Sequence, residues 1–446
     1  NATGLGGPWG DAGGGIFIIT ATATLSDNQV SDNASSSMGG GLFLNSSPAT
    51  ISGNTISSNS AIRGGGLYLY KSSATLNENT MTANTTPSYM GVGGGLFLQS
   101  SNAMLSSNTI FSNTSETGGG LFLGDSNDTL IGNLVTSNTA SYGGGGLFLN
   151  YGSPIFNGNT FAANLASSFG GGVYMAGTGT PEFIGNTVSA NTSRWRGGGL
   201  CLYELYGNVF LSGNVITANI AEDGGGVYMY GSKASFNDNL IVSNTASSDY
   251  GYGAGGGLYI DYSNPVMTNN VVADNHARAT GSGLYINGIP RLLQTTIARN
   301  TGGDGSGIVA RATLTLTNTI LVNHTLGVSV TESHITTTLD GVLWFSNGTN
   351  TGGAGAIRVT NPTTGNPAFA SDGYHLCPSS AAKDKGVNTS VATDIDGDIR
   401  PWGNGFDIGA DEYTSMFGKT SLHLAQVATD TNILTATLML GPVNNV

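Results

Sequence analysis

Positive charge is scarce in this chain. Its 14 Lys and Arg are spread thinly over 446 residues, and the formal net charge is −13. No basic stripe able to track a phosphate backbone can be assembled from them, which excludes nucleic acid as a partner. Cysteine is scarcer still. Cys201 and Cys377 lie far apart in the sequence, a pattern that is neither a disulfide framework nor a zinc-ligand spacing. A bridge between them would require the C-terminal region to fold back over the middle of the chain. Long apolar runs are missing as well. The longest, Ile433–Gly441 (ILTATLMLG), is less than half of the roughly 20 residues that a membrane helix needs, so no transmembrane segment is expected. Stretches rich in Ala, Leu, Glu and Lys are also lacking, which excludes a helical solenoid. The chain opens at Asn1 with neither Met nor a signal peptide, as expected of a mature, processed secretory protein.

What the chain has in abundance is glycine, 71 residues, and repetition. The stretch GGGLFLNSSPATISGNTISSNSA (Gly39–Ala61) returns with small changes along most of the sequence. The residue after each glycine cluster marks the period: Ile16, Leu42, Leu67, Leu96, Leu121, Leu147, Val173, Leu200, Val227, Leu258, Leu284 and Ile308, at spacings of 24 to 31. An Asn follows at a nearly constant offset, as at Asn54, Asn79, Asn108 and Asn133. A second comes five residues later, as at Asn59, Asn84, Asn113 and Asn138. Extra length enters mainly between that second Asn and the next glycines, as a surface loop allows. Repetition of this kind overrides a domain count based on length.

Each unit holds three strand-like pieces, LFL, ATIS and NTIS, rich in β-branched residues. A chain turning three corners per unit, each unit stacked on the last about 4.8 Å away, is a parallel β-helix. The expected fold is therefore all-β: a right-handed parallel β-helix over 1–350 with three strands per coil and about 12–14 coils. A C-terminal capping module over 351–413 and a strand-like tail over 414–446 follow it. The glycines belong at a tight corner, the Leu pair of LFL inside, and the asparagines in ladders that bond coil to coil.

The GGGL clusters and the T-I-x-x-N or T-F-x-x-N pieces (Thr55–Asn59, Thr160–Asn164) resemble the repeats of chlamydial polymorphic outer-membrane proteins and of other secreted bacterial β-helices. The blocks NPAF (Asn366–Phe369), YHL (Tyr374–Leu376) and DIDGDIRPWGNGFDIGADEY (Asp394–Tyr413) resemble the C-terminal module called choice-of-anchor Q. These resemblances imply an extracellular or cell-surface protein, bacterial in origin, and no particular activity.

Three features are candidates for function. The middle residue of LFL is aromatic in most units: Phe43, Tyr68, Phe97, Phe122, Phe148, Tyr174, Tyr228, Tyr259 and Tyr285. It must face opposite to its aliphatic neighbours, which predicts an outer aromatic stripe roughly 50 Å long. Such a stripe is covered by the chain itself, packs on another copy, or stacks on glycans. Asp394, Asp396 and Asp398 in DIDGD resemble the start of a calcium loop, so calcium is the candidate cofactor, with a structural turn as the alternative. Among the N-x-[ST] sequons, Asn45 and Asn127 just after the first strand are the candidate glycosylation sites.

An enzyme of the lyase type would need clustered acids with a basic residue, and the densest set is Asp249, Asp261, Asp274, Arg278, Arg291 and Arg299. These do not recur at one position of the unit, and the five His are scattered. The sequence therefore favours a non-catalytic extracellular structural protein that self-associates head to tail into a homopolymer, a surface filament or layer. An adhesin or glycan-binding rod, with glycans or host or cell-surface proteins as partners, is the alternative. A polysaccharide lyase or hydrolase is the more distant one.

Overall fold

The computed structural model describes residues 12–247 and 253–414. Every named element among them is a β-strand, arranged in parallel sheets that wind as a solenoid. The first sheet has 14 strands, one per coil, from Ile16–Ile19 to Thr349–Gly353. The ATIS and NTIS pieces share a second, 25-stranded sheet. Coil-to-coil register is constant: Leu96, Phe97 and Leu98 sit on Leu121, Phe122 and Leu123 in the next coil and on Leu67, Tyr68 and Leu69 in the previous one. The inward residues fuse into one continuous apolar cluster from Val30 to Trp344. Each short strand of the second sheet alternates, as in Thr50–Ser52 with Ile51 alone fully buried, so one face is core and the other solvent.

Two points refine the three-strand expectation. The middle coils carry a fourth, very short strand after the second Asn, forming a 7-stranded third sheet from Thr114–Thr117 to His276–Ala277. Its inward column is small, with Ala140, Ala166, Ser193, Ala221, Ala246 and Ala277 all buried. The solenoid also runs past residue 350, through Ala356–Thr360 and Thr363–Thr364.

The corners explain the glycines and asparagines. In the glycine triplet the first residue is left-handed, as at Gly144 with φ 65°. The second has no room at all: a Cβ on Gly145 would lie 2.4 Å from the Gly171 carbonyl oxygen and 2.6 Å from that of Leu165. The residue before each ladder Asn is also left-handed, although it is often Ser or Ala, as at Ser107 (φ 54°) and Ser112 (φ 55°). That conformation costs about 1 kcal/mol for a non-glycine residue, and the Asn that follows offsets it. Asn138 donates its Nδ2–H to the Ile110 carbonyl (2.9 Å) and to Asn164 Oδ1 (3.0 Å), so each amide ties three coils together.

The C-terminal module departs from the expectation of an end cap. It lies on the flank of the last coils. Leu376, Ala382, Ile408 and Ala410 pack on Val271, Ala273, Ala298, Ile320, Val322 and Leu343, the outward residues of the second sheet. Polar contacts reinforce the seam: Val387 N–H donates to Asn318 Oδ1 at 2.7 Å, and Ala410 N–H donates to Thr296 Oγ1 at 3.1 Å. Module and solenoid form one compact unit. The tail expected over 414–446 falls outside the described residues except for Thr414.

With the module on the side, the terminal strands keep one neighbour each among the described residues. Ile16–Ile19, Thr24–Ser26 and Gln29–Ser31 pair only with the second coil. Thr349–Gly353, Ala356–Thr360 and Thr363–Thr364 pair only with the coil beneath them.

Candidate functional site

The outer face of the first sheet carries the aromatic column, in register and outside the inner core. Phe97 and Tyr68 stack at 4.7 Å, Phe122 and Phe148 at 5.1 Å, and Tyr259 and Tyr285 at 4.6 Å. Cys201 replaces a ring at one coil and is fully buried, and both cysteines are free thiols. Most of the stripe is closed over. Phe43, Tyr68, Phe97, Phe122, Tyr174 and Tyr228 are all buried; only Phe148, Tyr259 and Tyr285 are partly open. The rings cover one another, and flanking residues such as Met38, Val92, Phe169 and Tyr203 close over them. Burial raises the Tyr68 hydroxyl to about 12. The accessible rings lie beside the column instead. Tyr203 stacks on Tyr230 at 4.9 Å, and Tyr230 meets the exposed Tyr262 edge-on at 5.7 Å.

The second concentration of chemistry is in the module. Asp394, Asp396 and Asp398 do not converge as calcium ligands. Asp394 is buried and faces inward as a turn anchor: its Oδ1 accepts the Asp396 and Asp398 N–H groups at 2.9 and 2.8 Å, and its Oδ2 accepts Glu412 N–H at 3.0 Å. A carboxylate whose oxygens already serve three backbone donors is held in a structural role. Behind it, Arg400 and Glu412 form a fully buried ion pair at 2.8 Å, and Glu412 also accepts the Trp402 and Asp407 N–H groups.

Asp396 turns the other way and meets a group that the sequence did not single out. His375 Nε2 contacts Asp396 Oδ2, with Asp411 Oδ1 4.0 Å away. On the far side of the ring, His375 Nδ1 bonds Asp372 Oδ2 at 2.5 Å. Asp372 is oriented in turn by the Tyr374 and His375 N–H groups, and Asp411 by Leu376 N–H at 2.6 Å. Burial opposes charge on the imidazole, yet the hydrogen bonds it donates to Asp396 and Asp372 outweigh it and raise His375 to about 10. Burial pushes the Asp411 carboxyl up to about 7. The signal in the sequence was YHL standing near three acidic blocks, but nothing periodic linked them.

The remaining candidates disperse. Arg299 grips Asp274 at 2.8 Å through two nitrogens and donates to the Gly373 carbonyl, which makes it part of the module seam. Asp261 accepts from Asn287 at 2.8 Å on the first sheet. Asp249 lies outside the described residues. Of the two glycosylation candidates, Asn127 is exposed. Asn45 is 7% exposed, and its Oδ1 accepts the Ser46 hydroxyl. The sequons at Asn84, Asn113 and Asn191 arise because a fully buried ladder Asn is followed, two residues on, by the small inward column.

A family model described as right handed beta helix region matches residues 9–135, 95–254 and 171–364. No curated protein matches the chain.

Proposed function

The chain belongs to the right-handed β-helix family, and on that footing we propose that it is a non-catalytic extracellular structural protein whose copies stack end to end. The observation that carries this reading is the one-sided pairing of the first and last coils among the described residues. Six terminal strands each lack one neighbour among the described residues. Unpaired edges of this kind template further pairing unless charge, proline or a cap blocks them. Arg358 is the one charged residue in those six strands, and none contains proline. Phe17 (42% exposed) and Ile19 (36%) at one end, with Phe345 (36%) and Val359 (38%) near the other, add apolar surface. A head-to-tail contact of this kind does not close and therefore propagates as a filament. The resemblances to chlamydial outer-membrane repeats and to choice-of-anchor Q support a place on the surface of a bacterium.

Sedimentation velocity and negative-stain electron microscopy over a wide concentration range test the reading. Filaments are expected for the full chain, and short or single particles for the Phe17→Lys, Ile19→Lys double variant. A monomer at every concentration overturns it.

A second reading rests on Tyr203, Tyr230 and Tyr262, whose partly open rings run across successive coils beside Asp261 and Asn287. Aromatic faces next to carboxylate and amide groups suit the apolar faces and hydroxyls of a sugar chain. Glycan-array binding lost in Tyr230→Ala and Tyr262→Ala would favour this reading over a purely structural one.

A further inference from the structure

The geometry points to a divalent-cation site of the zinc type in the C-terminal module, with His375 Nε2, Asp396 and Asp411 as its ligands. The three ligand atoms lie within 4.8 Å of one another and come from three separate segments of the module. One imidazole nitrogen with two carboxylates is a donor set for zinc and its first-row neighbours; calcium prefers oxygen alone.

Three further observations distinguish this group from a patch of surface acids. The first is the orientation of the ring. Asp372 Oδ2 takes the Nδ1–H at 2.5 Å, so the ring presents Nε2 toward Asp396 and Asp411. A carboxylate behind a histidine ligand, fixing its tautomer, is the usual outer support of such sites. The second is Asp411, which is only 6% exposed. Its Oδ2 is held by Leu376 N–H at 2.6 Å, while among the described residues its Oδ1 accepts no hydrogen bond and points at His375 Nε2 from 4.0 Å. With its partner oxygen taken by a backbone donor, Oδ1 is the Asp411 atom available to a cation at Nε2. The third is local charge. Asp372, Asp396 and Asp411 surround a single imidazole, while Arg400 is committed to Glu412 and Arg299 to Asp274. A divalent ion at Nε2 would balance this excess and staple the three segments together.

The test uses the full chain. After dialysis against a chelator, Zn²⁺ is titrated calorimetrically, Ca²⁺ is titrated in parallel, and Co²⁺ is added to read the visible absorption of a low-symmetry nitrogen–oxygen site. The expected result is one Zn²⁺ per chain and a melting temperature that rises with Zn²⁺ concentration. His375→Ala and Asp396→Asn should each abolish saturable binding. Asp372→Asn should weaken it about 10- to 100-fold while leaving the stoichiometry at one. Asp396 is exposed, so Asp396→Asn keeps the test decisive if His375→Ala does not fold. Absence of Zn²⁺ binding and of any cobalt band overturns the inference. So does binding unchanged in Asp396→Asn, or binding of Ca²⁺ with no response to Zn²⁺. Filament formation is a separate readout, so its failure leaves this result standing.

Discussion

Asn113 sends two hydrogen bonds to a single atom: its backbone N–H and an Nδ2–H meet Oδ1 of Asn138, each at 3.0 Å. Asn138 does the same to Asn164 one coil on, and its Nδ2–H also reaches back to the Ile110 carbonyl. The side chain therefore acts as a piece of backbone at a corner where the sheet ladder is interrupted.

Asn138→Asp tests this directly, because a carboxylate matches the amide in shape but cannot donate. The Ile110 carbonyl loses its amide donor, and a charge is buried against Asn164 Oδ1. We expect a loss of about 3 kcal/mol or more, at least as large as that of Asn138→Ala, by chemical denaturation. Thr139→Ala, one residue away and only partly buried, should change stability by less than about 0.5 kcal/mol. Equal effects at the two positions would contradict the ladder account.

Two glycines separate close approach from backbone conformation. Gly158 has φ 63° with nothing within 4 Å of the position a Cβ would take, and equivalent corners carry Ser107 and Glu78 in the same conformation. Gly158→Ala should cost about 1 kcal/mol. Gly145→Ala pushes a methyl into two carbonyl oxygens at 2.4 and 2.6 Å and should lower the melting temperature far more, or prevent folding. A similar effect at both sites would mean that φ, not contact, selects the glycines.

Asp128 is a charge in the wrong place. It stands fully buried where other coils have Ala49, Ala74 and Ala103, and its Oδ2 has no hydrogen-bond partner. Burial raises its carboxyl from 3.8 to about 7. A carboxyl whose pKa is raised by folding destabilises the native state as pH climbs from the unfolded value to the folded one. The stability of the wild type relative to Asp128→Ala should therefore fall between about pH 4 and pH 7, by on the order of 4 kcal/mol, and level off above. A gap between the two proteins that is constant with pH would refute this.

Arg400 and Glu412 hold the module from within. Both side chains are fully buried, and Arg400 also donates to the Gly409 carbonyl at 2.8 Å. Glu412→Gln leaves the guanidinium without its counter-charge, at a cost of about 3–5 kcal/mol. The module should then exchange its amide hydrogens early, while the N-terminal coils keep their protection. Uniform loss of protection would show instead that the two fold as one cooperative block.

Inside and outside were legible wherever a residue repeats. Leu42, Ile51 and Ile56 had to be buried, and Asn54 and Asn59 had to stack, because each position meets its own copy one coil away and the period leaves no other partner. Even the flank that receives the module left a trace. The outward Thr and Ser of Thr55–Ser57 and Thr187–Ser189 give way to Val271 and Ala273, and later to Ile320 and Val322. Loss of alternation means that both faces of a strand are covered. What covers them could not be read from the sequence. The shielding of Phe97, the seat of the module on the side and the meeting of His375 with Asp396 and Asp411 all join residues that do not repeat and stand far apart in the chain. Their contacts depend on where surfaces come together in three dimensions, and only the tertiary structure decides that.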